Sequence, residues 1–127
     1  MSIAYWTVLA MIFMPFVLAG MSKSAGGYDN AQPREWLARL SGWQQRAYWA
    51  ELNTFEAFPA FAAAVIIAHQ LEAHQVGIDA LALGFFALRV GYASAYVANR
   101  PGWRSWLWIG GFICVVGLFV LAALTGV

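Results

Sequence analysis

Four long apolar stretches, separated by short polar segments, follow one another along the 127 residues of the chain. A helix rises about 1.5 Å per residue, so about 20 apolar residues cross a hydrocarbon core about 30 Å thick. The first stretch contains no charged side chain. The pattern predicts an all-α protein, an integral membrane four-helix bundle forming a single transmembrane domain over 1–127, with spans at 3–22, 42–70, 80–98 and 103–125.

The polar segments contain residues that end or begin helices. In the first connection, glycines and Pro33 are typical of a loop, which leads into a short amphipathic segment at 34–40. In the second connection, Gly77 predicts a turn and Asp79 predicts an N-cap for the third span. The sequence "NRPG" at 99–102 predicts a break before the fourth span.

Composition supports the membrane interpretation. Hydrophobic residues make up 62% of the chain and charged residues 10%, whereas about a quarter of the residues of a soluble domain are charged. A secretory signal peptide at 3–22 is the alternative, but signal peptides carry positive charge before the apolar run, and Lys23 follows it. The net charge of +1 gives no indication of nucleic-acid binding, which would need a clustered basic surface. The single cysteine, Cys114, excludes an intrachain disulfide.

Positive charge is unevenly distributed between the two ends of the predicted bundle. The amino terminus and the second connection contain no lysine or arginine. Positive residues favour the cytoplasmic side, so connections one and three are predicted to be cytoplasmic and both termini to lie away from the cytoplasm. In a bacterium this membrane would be the inner one. The cationic residues in or beside these two connections are Lys23, Arg34, Arg39, Arg46, Arg100 and Arg104.

The second span carries polar residues that a lipid-facing helix would avoid. In "RAYWAELNTFEAF", the side chains of Arg46, Asn53 and Glu56 fall within about 80° of one another at 100° per residue, whereas Glu51 points the opposite way. Arg89 of the third span lies at a depth similar to that of Glu56. An unpaired charge at mid-membrane costs at least about 2.5 kcal/mol, so a Glu56–Arg89 ion pair is predicted.

Tyr92 and Tyr96 share the helical face of Arg89. Together with Asn53 and Glu56 they predict a polar pocket in the cytoplasmic half of the bundle. Two interpretations remain open, because buried polar groups also hold helices in register without binding any ligand.

His69, Glu72 and His74 lie at a loop without a fourth ligand, so no metal site is predicted. The tryptophans at the start of the fourth span, including Trp108, are interpreted as interface aromatics.

These motifs together resemble a known family. The stretch "RAYWAELNTFE" is similar to a pattern Arg-x-x-Arg-Ala-x-x-Asn-x-x-Glu, with Trp49 in place of the second arginine and Leu52 where some relatives have another. The third span, "RVGYASAY", and Arg104 before the fourth complete the resemblance. The family is that of the membrane-associated proteins in eicosanoid and glutathione metabolism (MAPEG), which includes microsomal glutathione transferases and prostaglandin E synthase.

The resemblance implies a homotrimer with glutathione as co-substrate between neighbouring subunits, near the cytoplasmic face. It implies a transferase or peroxidase acting on lipophilic electrophiles that arrive from the lipid. The alternative is a non-catalytic lipid-binding or structural protein of the same fold. The expected partners are lipid, further copies of the chain and a lipophilic small molecule, without nucleic acid. The implied catalytic residues are Arg104, Tyr96 and Ser105, and the implied glutathione-binding residues are Arg46, Asn53, Glu56, Arg89 and Tyr92.

Overall fold

A computed structural model describes residues 1–125 of the chain, so the last two residues of the predicted domain lie outside the described part. Helices account for all the regular secondary structure of the described residues, and four of the helices are long and apolar enough to cross a membrane. The predicted four-helix membrane bundle is confirmed. The helices are α1 (Ile3–Lys23), α2 (Pro33–Ala38), α3 (Gly42–Gln70), α4 (Gln75–Val97) and α5 (Pro101–Thr125).

The start of α4 differs from the prediction. The helix begins at Gln75 rather than at Ala80, and Gly77 lies inside it. Gly77 is there for packing and not for a turn: a Cβ at this position would lie 2.8 Å from the Leu121 Cδ2 of α5. A glycine inside a helix costs about 1 kcal/mol relative to alanine, which the close approach of the two helices offsets.

Asp79 also acts differently from the prediction. It does not cap α4, whose N-cap residue is His74. Instead its Oδ1 accepts hydrogen bonds from the backbone N–H of Ala4, in the first turn of α1, and from Gln75 Nε2, both at 2.9 Å. The predicted N-cap of the third span is therefore wrong. Asp79 accepts instead from the first turn of α1, because that turn lies beside α4 in the folded bundle.

The core lies where all four long helices meet. Phe61 of α3 and Phe85 of α4 stack at its centre, with ring centroids 4.0 Å apart. Close packing of α5 on α4 depends on glycines: a Cβ at Gly110 would lie 3.1 Å from a Leu88 methyl carbon. Other fully buried side chains around this centre are Met11, Val65, Ile78 and Leu118.

The outer surface of the bundle is apolar, as the membrane requires. Large hydrophobic side chains such as Phe13, Phe16, Trp106 and Ile113 are exposed on the long helices. In water such a surface would cause aggregation, whereas in lipid it is the ordinary exterior of a bundle. The chain is therefore an integral membrane protein.

One end of the bundle contains most of the cationic side chains. At this end of the bundle, which we call the basic end, α1 and α4 end and α3 and α5 begin. The turn from α4 into α5 passes through Asn99 at φ 58°, a left-handed conformation that asparagine adopts more readily than most residues. This turn places Arg104 in the first turns of α5, beside the last turns of α4.

Candidate functional site

Arg89 is the most deeply buried charged side chain of the described residues, with 1% of its surface exposed. Its Nη2 donates hydrogen bonds to Asn53 Oδ1 at 2.9 Å and to Thr54 Oγ1 at 3.4 Å. The guanidinium also lies 4.1 Å from the centroid of the Tyr92 ring, a cation–π contact. Hydrogen bonds and an aromatic face thus replace part of the hydration that the cation loses inside the membrane.

The predicted ion pair between Glu56 and Arg89 is wrong. No carboxylate oxygen of Glu56 lies within 4.0 Å of a cationic nitrogen among residues 1–125. Asn53 stands between them: its Oδ1 accepts from Arg89, while its Nδ2 donates to Glu56 Oε2 at 3.5 Å. An amide has both a donor and an acceptor, so it can join a cation to a carboxylate without direct contact. Glu56 itself stays exposed.

Two tyrosines connect the Arg89 cluster to the basic end. The rings of Tyr92 and Tyr96 meet edge to face, with centroids 5.7 Å apart. The guanidinium of Arg104, on α5, lies 4.5 Å from the centroid of the Tyr96 ring. On the side of α3, Trp49 lies 6.5 Å from the same ring. Residues implied by the family pattern on three helices are therefore contiguous, although the sequence places them far apart.

Three adjoining clefts open beside these side chains. The first, the apolar cleft, has a volume of about 310 Å³ and lies between α3, α4 and α5. Its polar side consists of Asn53, Glu56 and Arg89, and the remaining walls are apolar or aromatic. The residues that line the apolar cleft are Asn53, Glu56, Ala57, Ala60, Phe85, Arg89, Trp108, Phe112 and Val115.

The other two clefts lie nearer the basic end. The polar cleft, of about 340 Å³, shares Asn53 and Glu56 with the apolar cleft. The Arg104 cleft, of about 290 Å³, contains the Arg104 guanidinium and shares Trp108 with the apolar cleft. The polar cleft is lined by Trp49, Leu52, Asn53, Glu56 and Tyr96, and the Arg104 cleft by Tyr92, Arg104, Ser105, Trp108 and Ile109.

Arg46 lies outside these three clefts. Its Nε donates a 3.0 Å hydrogen bond to the carbonyl oxygen of Val97, the last residue of α4. The last carbonyls of a helix have no partner within the helix, and a cation there also interacts favourably with the helix dipole. The arrangement gives Arg46 a capping role that ties α3 to α4.

Ser105 lies at the edge of the Arg104 cleft, and its hydroxyl is already engaged. Its Oγ donates to the carbonyl oxygen of Pro101 at 3.1 Å, one turn earlier in α5. A serine hydroxyl has two lone pairs, so the Oγ can still accept a hydrogen bond from a group in the cleft. Ser105 is therefore placed as an acceptor, while its proton stays within the helix.

Thr54 and Trp108 belong to the site although sequence reasoning did not select them. Thr54 is buried, donating to the Ala50 carbonyl oxygen at 2.8 Å while accepting from Arg89. The sequence could have indicated Thr54 through its position next to Asn53, since a hydroxyl inside a membrane helix normally has a specific hydrogen-bond partner. Trp108, interpreted as an interface aromatic, lines two of the clefts. No signal in the sequence distinguishes it from Trp106.

Comparison with known proteins gives the family. The sequence matches no curated protein at a significant level. The sequence model described as the MAPEG family matches residues 2–124, which include every residue of the three clefts. The match covers all four membrane helices almost to the end of α5. This chain therefore belongs to the MAPEG family.

Proposed function

We propose that this protein is a glutathione-dependent transferase or peroxidase of the membrane that acts on lipophilic electrophiles. The MAPEG family includes such enzymes and also non-catalytic members. The observation that carries the proposal is the position of Arg104 and Tyr96. They contact each other, and each lines an open cleft and is not enclosed by packing. A purely structural pair would have no need of this access.

The free polar groups match parts of glutathione, which has two carboxylates, an ammonium group and a thiol. The exposed carboxylate of Glu56 suits the ammonium group, and Asn53 beside it can hydrogen bond to the peptide. Arg104 is the cation for a carboxylate or for the sulfur, because its guanidinium forms no hydrogen bond among residues 1–125. Arg46 and Arg89 already bind α4 and α3 respectively. The chain thus offers fewer free cations than the family pattern implies.

The chemistry expected of Arg104 is stabilisation of a thiolate. A free thiol has a pKa of about 8.5, so only a few per cent of it is ionised at neutral pH. The guanidinium adds a fixed positive charge near the amino terminus of α5, where the helix dipole is also positive. Both favour the thiolate over the neutral thiol. The hydroxyl of Tyr96 can assist as a hydrogen-bond donor.

The proposed assembly is a homotrimer with the ligand between subunits. In one protomer the polar cleft is shallow, and Trp49 and Leu52 at its rim remain exposed. A neighbouring subunit would supply the missing wall and exclude water from the thiol. This part of the proposal depends mainly on the family, in which trimers are typical.

A second candidate is a non-catalytic lipid-binding protein of the same fold. Trp49 and Leu52 favour it, because Trp49 stands where the family pattern has arginine, Leu52 stands where some relatives have another, and both line the polar cleft. A groove of about 550 Å³ between α1 and α4 also favours it, since its walls are almost wholly apolar. The test of the proposed enzyme also separates these two candidates.

The test replaces Arg104 and measures the thiolate of bound glutathione by its ultraviolet absorbance across a pH series. If Arg104 stabilises the thiolate, Arg104→Ala raises the pH at which the thiolate absorbance appears by about 1–3 units, as expected for loss of a nearby opposite charge. Turnover at neutral pH falls about tenfold for each unit by which the shifted pKa lies above that pH, and it recovers at alkaline pH.

The matched control is Arg100→Ala, which removes an exposed arginine from the same turn without altering a cleft. This variant should retain the wild-type pH dependence. The absence of any thiolate signal from the wild-type protein with saturating glutathione would contradict the enzyme proposal and favour the lipid-binding candidate. An unchanged thiolate signal in Arg104→Ala would show that Arg104 does not stabilise the thiolate.

A further inference from the structure

The groove between α1 and α4 lies apart from the three clefts and shares no lining residue with them. Residues within 14–21 of α1 and 86–98 of α4 line it, and none of them is charged. Leu18 and Ala93 are buried, with 4% and 6% of their surfaces exposed, whereas Val90 on the α4 wall is 43% exposed. The groove therefore has a closed floor and opens at the protomer surface.

The groove is about as long as one leaflet is deep. At 1.5 Å per residue, the stretch 86–98 extends over about 18 Å, and half of a hydrocarbon core about 30 Å thick is about 15 Å. Both α1 and α4 end at the basic end, so the groove runs across the leaflet and reaches that end. Met14 and Met21 on the α1 wall are unbranched and adapt to irregular apolar shapes. The length and direction of the groove thus suit one acyl chain.

Arg46 places a positive charge at the basic end of the groove. Val97 and Ala98 form the α4 side of this end, and Arg46 Nε donates to the Val97 carbonyl oxygen at 3.0 Å. The two Nη atoms form no hydrogen bond among residues 1–125 and are not buried. No carboxylate oxygen of the same residues lies within 4.0 Å of this guanidinium. Both Nη atoms can therefore still donate to an anion.

We propose that the α1–α4 groove binds an anionic phospholipid from the leaflet at the basic end. One acyl chain lies in the groove against Leu18 and Ala93, and the headgroup phosphate accepts hydrogen bonds from the Nη atoms of Arg46. A guanidinium presents its donors in a planar fork that matches phosphate oxygens.

The headgroup decides the selectivity of this site. An acyl chain that enters the groove leaves one apolar environment for another, so its burial discriminates little between lipids. One arginine near the membrane surface favours an anionic lipid about fivefold, which corresponds to about 1 kcal/mol. A phosphatidylcholine headgroup carries its own cation beside the phosphate, so it gains less from Arg46. The expected ligand is therefore a phospholipid with net negative charge, such as phosphatidylglycerol.

This inference goes beyond the proposed glutathione chemistry. Arg46 lies outside the three clefts, and none of the groove residues belongs to them. A bound phospholipid is compatible with the enzyme and with the non-catalytic candidate. Failure of the thiolate test would leave the phospholipid site in place, and failure of the lipid test would leave the proposed enzyme in place.

The experiment uses the full-length protein in phosphatidylcholine nanodiscs that contain a photoactivatable lipid. Two probes carry the same diazirine-bearing acyl chain, one on phosphatidylglycerol and one on phosphatidylcholine, and peptide mass spectrometry locates the labelled residues. We expect the phosphatidylglycerol probe to label groove residues about fivefold more strongly. Exposed Ile113 on α5 should be labelled equally by both probes. Unlabelled phosphatidylglycerol should suppress the groove labelling more than oleate does.

Two pairs of variants test the charge and the location. Arg46→Gln removes the charge while its amide can still donate to the Val97 carbonyl oxygen, so the preference for phosphatidylglycerol should disappear. Arg46→Lys keeps the charge and should keep most of the preference. Ser94→Phe fills the groove and should abolish its labelling by both probes. Ala87→Phe, at an exposed position of α4 outside the groove, should be labelled as the wild type is.

Equal labelling of the groove by the two probes would overturn the inference, as would a preference that persists in Arg46→Gln. Labelling of Ile113 without any labelling of the groove would show that a second copy of the chain covers it. Suppression by oleate as strong as that by phosphatidylglycerol would indicate a fatty-acid site instead. Unchanged groove labelling in Ser94→Phe would place the lipid elsewhere.

Discussion

At the scale of single residues, Asn53 determines how the two charged groups of the site are connected. Its amide joins the buried Arg89 to the exposed Glu56, and it lines two of the three clefts. Because the two charges do not touch, removing the Asn53 amide leaves the buried cation only its longer hydrogen bond to Thr54 and the face of the Tyr92 ring, whereas neutralising Glu56 leaves all of its nearest partners in place. The asparagine is therefore expected to matter more for stability than the carboxylate does.

We predict that Asn53→Ala lowers the free energy of unfolding by about 1–3 kcal/mol, since Arg89 Nη2 loses its shorter hydrogen bond inside the membrane. Glu56→Gln, which keeps an acceptor for the Asn53 amide, should change it by less than about 0.5 kcal/mol. Thermal unfolding in detergent measures both, with Asn30→Ala in the exposed loop as the control. A larger loss of unfolding free energy from Glu56→Gln than from Asn53→Ala would indicate a direct ion pair between Glu56 and Arg89.

At the scale of helices, the end of the bundle opposite the basic end depends on contacts between α1, α3 and α4. Asp79 accepts from the first turn of α1. Ser2 caps the same turn, and its Oγ lies 2.9 Å from His69 Nε2 at the end of α3. The His69 ring stacks on Tyr5, with centroids 4.1 Å apart. Three helix ends are thus joined by side chains that sequence patterns assign to separate local roles.

We predict that Asp79→Ala destabilises the protein by about 0.5–2 kcal/mol, the usual cost of losing a helix cap. Asp79→Asn should retain most of the stability, because its side-chain oxygen can still accept from the Ala4 N–H. Hydrogen exchange at the amide of Ala4 reports the contact directly and should accelerate in the alanine variant. Faster exchange confined to the amides of α4, with no change in α1, would indicate that Asp79 caps its own helix.

At the scale of the whole molecule, charge distribution and apolar surface decide how the bundle sits and assembles. The basic end collects the cationic residues near the helix ends, whereas the opposite end, around His74, contains no lysine or arginine among residues 1–125. Large hydrophobic side chains are exposed on each of the four long helices. These properties predict an orientation, and together with the family they predict an oligomer.

The orientation prediction is tested by cysteine labelling in a Cys114→Ala background. Ala31→Cys, in the loop of the basic end, should be protected from a membrane-impermeant maleimide added outside intact cells. His74→Cys, between α3 and α4, should be labelled under the same conditions. The reverse labelling pattern would show that the basic end, and the clefts near it, face away from the cytoplasm. Labelling of both residues after permeabilisation is the control for accessibility.

The oligomer prediction is tested by mass measurement on the detergent-solubilised protein. A homotrimer should have a protein mass three times that of the 13.9 kDa chain. The physical reason is the exposed rim of the polar cleft, which a neighbouring subunit would cover. A monomer or an antiparallel dimer would remove the second wall of the proposed glutathione site. The apolar cleft, formed within one chain, would remain.

The sequence by itself determined the membrane helices and the family pattern. Whether a segment crosses a bilayer depends on its own length and composition, so four spans could be identified without knowledge of packing. The common face of Arg89, Tyr92 and Tyr96 likewise follows from 100° per residue within one helix, and the two rings meet as that periodicity predicts.

The tertiary structure decided which side chains meet between helices. A helical wheel gives direction to within tens of degrees, whereas a hydrogen bond needs its donor and acceptor within about 3.2 Å. Equal depth therefore suggested a contact between Glu56 and Arg89, and the relative rotation of α3 and α4 placed Asn53 between them. The same limit hid the partner of Asp79 and the capping role of Arg46, because both depend on the position of a second helix that local sequence does not encode.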